Sequence, residues 1–107
     1  MATTALTLVT IVAEPVLEHR LVTDLKRLGA TGWTLTEGRG EGSRGRRASD
    51  LPGANIRLEV VVTPAVAERI VDHVATQYFP NYAVIAFVSA VEVVRGEKYL
   101  PTDDPIA

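Results

Sequence analysis

The 107-residue chain has no cysteine, which removes disulfides, a thiolate nucleophile and cysteine metal sites together. No apolar run approaches the ~20 residues that a bilayer-spanning helix needs. Residues 1–12 lack a basic segment, and threonines interrupt their apolar character, so they do not read as a signal peptide. A cytoplasmic location is expected, with any contact to a membrane made through a partner. The net charge of −2 argues against broad electrostatic binding to nucleic acid. His19 and His73 fall on the polar sides of the expected helices, without His-x-x-x-His spacing or clustered carboxylates, so both are read as solvated and no metal site is expected.

What is present is one domain's worth of alternating strand and helix patterns. Residues 5–13 (ALTLVTIVA) are β-branched and apolar, bounded by Glu14-Pro15, and read as a first strand. Over residues 16–28 the period changes: Leu17, Leu21, Leu25 and Leu28 make a helical stripe, with Pro15 suited to its start and Gly29 to its left-handed stop. Residues 32–37 alternate Trp33 and Leu35 with threonines, giving a second strand, and Trp33 is read as core or interface. Residues 55–62 give a third, with Ile56, Leu58, Val60 and Val62 on one face. Thr63-Pro64 caps a second helix that runs to about Tyr78 with Ala67, Ile70, Val71, Val74 and Tyr78 inward. Residues 82–94 form a long fourth strand, and residues 95–107 look loosely ordered.

The order βαββαβ predicts an α+β, ferredoxin-like fold: a four-stranded antiparallel sheet with both helices on one face. The fourth strand is apolar on both sides, with Ile85, Phe87, Val91 and Val93 on one and Val84, Val88 and Val94 on the other. A strand wet on one face alternates more cleanly. At ~25 cal/mol per Å2 of apolar area, a second layer over the bare face is worth several kcal/mol, so a homo-oligomer that packs these sheets is expected.

Residues 38–47 read Gly-Arg-Gly-Glu-Gly-Ser-Arg-Gly-Arg-Arg, holding four of the chain's eight glycines and four of its nine arginines. Glycines let successive N–H groups converge on one point, and arginine forks match phosphate or carboxylate oxygens. The run is therefore read as an anion-binding loop, within a connection of about residues 38–54 that is far longer than an ordinary hairpin turn. Gly40 to Gly45 fits the string G-x-G-x-x-G, but no helix follows it, and Gly45 is followed by Arg46-Arg47 where a Walker loop needs Lys-Ser/Thr.

Gly29-x-x-Gly32-Trp33-Thr34, Gly40-x-Gly42-Ser43-Arg44-x-x-Arg47, Ala54-Asn55-Ile56 and Tyr78-Phe79 with Tyr82-Ala83 together resemble the PII-like proteins linked to bicarbonate transport and carboxysomes. The likeness extends over about residues 6–96, so that residues 1–96 are expected to form one domain and 97–107 a flexible tail. It implies a homotrimer whose long hairpin loop, the T-loop, folds over an adenine nucleotide in each cleft between subunits. Residue by residue, it places Ser43, Arg44 and Arg47 at the phosphates, Gly42 and Asn55 at the loop's two bases, and the backbone around Ala83 and Val84 at the adenine edge. Arg46 has no family counterpart and is taken as a secondary anion contact.

Departures from PII proteins narrow the ligand. The loop has neither the modifiable tyrosine nor the glutamine of PII proteins, so uridylylation and 2-oxoglutarate sensing are not expected. The lysine-containing glycine loop ahead of the fourth strand is replaced by Phe79-Pro80-Asn81-Tyr82. With that loop absent, AMP, ADP or cyclic AMP are better ligands than ATP, with bicarbonate as a second one, and Glu41 adds repulsion towards a longer phosphate chain. The absence of cysteine rules out a redox tail. The implied function is non-catalytic: T-loop ordering controls a bicarbonate transporter or carboxysome component. The alternatives are a slow nucleotide-hydrolysing enzyme and an RNA-binding domain; the latter wants aromatics on the central strands, where this chain has none.

Overall fold

A computed structural model describes residues 2–40 and 53–100. Six principal elements follow the expected order: β1 (Thr3–Ala13), α1 (Glu18–Leu28), β2 (Thr34–Arg39), β3 (Ala54–Val62), α2 (Pro64–Gln77) and β4 (Ile85–Val94). Single 3-10 turns at Pro15–Leu17 and Gly96–Tyr99 flank the first helix and the last strand. The strands form one antiparallel sheet in the order β2-β3-β1-β4, as the ferredoxin-like reading requires.

Pairing alternates the two sheet faces and thereby sorts the side chains. Val9, Ile11 and Ala13 of β1 lie beside Val60, Leu58 and Ile56 of β3, and all six are buried under the helices. Leu17, Leu21 and Leu25 supply one helix's share of that core, and Ala67, Ile70, Val74 and Tyr78 the other's. Leu28 and Val71 pack at its margin. The stripes predicted from periodicity are thus the stripes that pack. α2 begins where Thr63 accepts the Val66 N–H on its hydroxyl at 3.3 Å, and α1 ends on Gly29 at φ 118°, a conformation that disfavours any residue with a Cβ.

The face away from the helices carries Ile85, Phe87, Val91 and Val93 beside Val12, Thr10, Leu6 and Thr4. Ile85 and Phe87 are 57% and 44% exposed, so this face is only partly closed within one chain. Val88 and Val94 lie on the opposite face from Ile85 and Phe87, as expected, and both are about half exposed, because β4 is an edge strand. Val84 lies just ahead of β4.

Boundaries differ from expectation in four places, each for a local reason. The first helix opens with the 3-10 turn at Pro15, and its α portion starts at Glu18. β2 is displaced two residues later; Trp33 precedes it, 41% exposed, with the Lys26 ammonium 4.8 Å from its ring centroid. β4 begins at Ile85 because residues 78–84 spend their hydrogen bonds on local turns: Tyr82 N–H on Tyr78 C=O, and Val84 N–H on Tyr82 C=O. After β4, Arg95 adopts a left-handed conformation and turns the chain into Gly96–Tyr99, so regular structure continues four residues beyond the strand's expected loose exit. Residues 101–107 lie outside the described residues.

Candidate functional site

At one end of the sheet, three segments meet: the C-terminal end of β1 and the N-terminal ends of β3 and β4. Ala13 pairs with Ile56, and Val12 with Ile85. Carried one step past the β1–β3 ladder, the register sets Glu14 abreast of Asn55, and on its other side the Glu14 carboxylate meets the Ala83 N–H.

The β2–β3 hairpin is pinned at its root. The ladder runs through Gly38 opposite Asn55 and Arg39 opposite Ala54. Beyond it, Gly40 donates its N–H to Gly53 C=O at 2.8 Å, and Asn55 donates from Nδ2 to the same oxygen at 3.5 Å. Gly53 holds φ +84°, and a Cβ on Gly40 would come 3.2 Å from Asn55 Nδ2, so both glycines suit this root for stated reasons. Asn55 Oδ1 is buried with no hydrogen-bond partner among the described residues. Paired structure takes residues 38–40 and 53–54 of the expected 38–54 loop, so residues 41–52 connect the two sides. Gly42, Ser43, Arg44, Arg46 and Arg47 all belong to that span and lie outside the described residues.

The 78–84 segment is held at both ends by carboxylates from the first half of the chain. Glu14, 5% exposed, accepts the Ala83 N–H on Oε2 at 3.4 Å. Asp24 of α1 accepts the Tyr78 hydroxyl and lies 2.9 Å from His73 Nε2, both on Oδ2, while Arg27 approaches Oδ1 at 3.6 Å. The Tyr78 ring is buried, with the Arg20 guanidinium 4.7 Å from its centroid and Tyr82 tilted against it at 6.0 Å. Burial opposes ionisation of Asp24, but hydrogen bonds from Tyr78 and His73 and the charges of His73 and Arg27 outweigh it, holding the carboxyl below its usual range. Burial, then the hydrogen bond and charge of Asp24, push the Tyr78 phenol well above its own.

The sequence profile described as nitrogen regulatory protein P-II matches residues 6–98. The chain belongs to the nitrogen regulatory protein P-II family. Among solved structures, a protein of Thermus thermophilus assigned as a PII-like signalling protein is 59% identical, the match covering 94% of this chain and 100% of that one at a TM-score of 0.81. CPII of Thiomonas intermedia bound to ADP, AMP and acetate is 20% identical, covering 92% and 98% of the two chains at a TM-score of 0.80. The same protein bound to ADP, AMP and bicarbonate is also 20% identical, covering 91% and 95% at a TM-score of 0.78.

For this P-II family member, the α+β ferredoxin-like prediction holds, and PII proteins are in general non-enzymatic signalling proteins. Among the described residues there is no group of side chains suited to hold a metal ion and no helix long and apolar enough to cross a membrane. Of the predicted site residues, the fold brings Asn55, Ala83 and Val84 to one sheet end. One sequence reading is corrected: His73 is half-buried and bound to Asp24, so it is not a solvated surface histidine. His19 is exposed, as expected. Sequence reasoning missed Glu14, which read only as a strand terminator, and the Asp24–His73–Tyr78 cluster. Asp24 lies 49 and 54 residues from its two partners, so no local pattern reports it. The one available signal was a buried-register tyrosine at the end of a helix, since a buried phenol needs a partner for its hydroxyl.

Proposed function

We propose that this protein is a non-catalytic regulator that binds an adenine nucleotide (AMP, ADP or cyclic AMP) between the subunits of a homotrimer. Bicarbonate acts as a second ligand. Ser43, Arg44 and Arg47, with Arg46 and Gly42, take the phosphates. Asn55 anchors the loop base, and the Ala83–Val84 backbone takes the base. The observation that carries this reading is the convergence of the pinned hairpin root and the Ala83–Val84 segment at one sheet end, in a chain 59% identical to a PII-like signalling protein. The CPII complexes with ADP, AMP and bicarbonate support the choice of ligands, and the typical trimeric state of PII-like proteins supports the assembly.

The trimer draws further support from the half-open sheet face around Ile85 and Phe87. Phe87→Asp places a charge in that layer, and sedimentation velocity should then show loss of the oligomer. In function, ligand binding shifts the loop between two states, and the ordered loop engages or releases a partner in inorganic-carbon uptake, a bicarbonate transporter or carboxysome component. A ligand shifts such an equilibrium only by its differential affinity for the two states. Calorimetric titration with AMP, ADP, cyclic AMP and ATP, each with and without bicarbonate, tests the reading. Micromolar binding of an adenine nucleotide, tightened by bicarbonate, is expected. Binding indifferent to bicarbonate removes the carbon-sensing role, and no nucleotide binding removes the site.

A further inference from the structure

Glu14 is a buried carboxylate with no ion-pair partner among the described residues, and burial of such a group is unfavourable unless hydrogen bonds compensate. Its contact is with the backbone that the proposed site offers to the base: Oε2 accepts the Ala83 N–H at 3.4 Å. The next amide, Val84 N–H, is committed to Tyr82 C=O at 3.1 Å. Both donors of the Ala83–Val84 edge are therefore used inside the fold, and what this stretch can turn towards a ligand is carbonyl oxygen.

An acceptor-only edge has a chemical consequence. Adenine carries a 6-amino group whose two hydrogens carbonyls around position 6 can accept, whereas guanine and hypoxanthine present a 6-oxo acceptor there, which carbonyls repel, and offer a donor only at the neighbouring N1–H. We infer that Glu14 is a specificity-determining residue: by occupying the Ala83 N–H it makes the edge select 6-amino over 6-oxo purines. The inference rests on the reading that Ala83 and Val84 face the base. Glu14 acts through the backbone and is a positioning residue, since the base is met by carbonyls rather than by the carboxylate. The pinning of Tyr78 to Asp24 at the segment's other end keeps the edge from drifting away from Glu14.

The test compares ADP with IDP, which differ at the 6-position and N1, by calorimetry on the wild type, Glu14→Gln and Glu14→Ala. The wild type should prefer ADP by at least about tenfold. Glu14→Gln keeps a carbonyl acceptor for the Ala83 N–H and should keep that ratio. Glu14→Ala frees the amide, and the ratio should fall to within about threefold, with IDP losing less affinity than ADP. A variant that is merely loosened loses both nucleotides equally and leaves the ratio unchanged, which overturns the inference while leaving the nucleotide site standing. A wild type that binds neither nucleotide overturns the site and the inference together. If Glu14→Ala does not fold, amide exchange at Ala83 in the free wild type decides. Protection about a hundredfold above an open chain supports the inference, and exchange at the open-chain rate overturns it.

Discussion

The two ends of the sheet are built differently. At one, Arg95 turns the chain left-handed and drives Gly96 against Thr4 so closely that a Cβ would lie 2.5 Å from Thr4 Cβ. That end is closed by this packing and by an exposed hydrogen bond from the Thr3 hydroxyl to Glu92 at 2.6 Å. At the other, a buried glutamate, an asparagine with a buried and unpartnered oxygen, and a backbone with spent donors stand in one row beneath the root of a glycine-arginine loop. In the proposed function, the end where polar groups hold one another in place is the one that meets the ligand.

The largest effect expected from this contrast is at the closed end. Gly96→Ala forces Thr4 and the adjoining backbone apart and should destabilise the protein by the upper part of ~1–3 kcal/mol in chemical denaturation. ADP affinity should stay unchanged, because the strain is at the far end. If ADP affinity falls as much as stability, the two ends are not separable. Next in size, Arg44→Ala or Arg47→Ala should weaken ADP binding by ~1–3 kcal/mol, the range for a charge-assisted hydrogen bond, without moving the denaturation midpoint. Unchanged affinity in both variants would take the loop out of the site.

Smaller effects belong to the clamp between the helices. Tyr78→Phe removes the hydroxyl given to Asp24 while keeping the buried ring, and a loss of ~1–2 kcal/mol is expected, readable as a lower melting temperature. The same cluster sets an acid limit. Asp24 has a depressed folded-state pKa, so its contribution is present above the unfolded value of ~3.9 and is lost as pH falls through the folded one. Stability measured from pH 6 downward should fall below about pH 4 in the wild type, with a shallower decline in Asp24→Asn. Parallel profiles would show that Asp24 is not the group responsible.

How much of this was legible in the chain depended on the range of the interaction. Leu17, Leu21 and Leu25, and Ile56, Leu58, Val60 and Val62, announced their buried faces because helix and strand periods are local. The Thr63-Pro64 cap was equally plain, since capping needs only three residues. The start of β4 was not, because Tyr82 and Val84 look like strand residues but give their amides to turns. The loop's composition pointed to an anion site, and the fold places its root, Gly40 and Gly53, at the sheet end that also carries Asn55 and Ala83. Glu14 and Asp24 stayed silent: their hydrogen-bond partners lie 69 residues away for Glu14 and 49 and 54 residues away for Asp24, which no window of sequence contains.

The central claim is that the end bearing Asn55, Glu14 and Ala83 is the regulatory ligand site and the Gly96 end is scaffold. Amide hydrogen exchange across the whole chain, with and without saturating ADP, tests it most directly. Slowed exchange over residues 41–52 and 79–84, with no change over Gly96–Tyr99, is the predicted result. Equal slowing at both ends, or none at either, would contradict it.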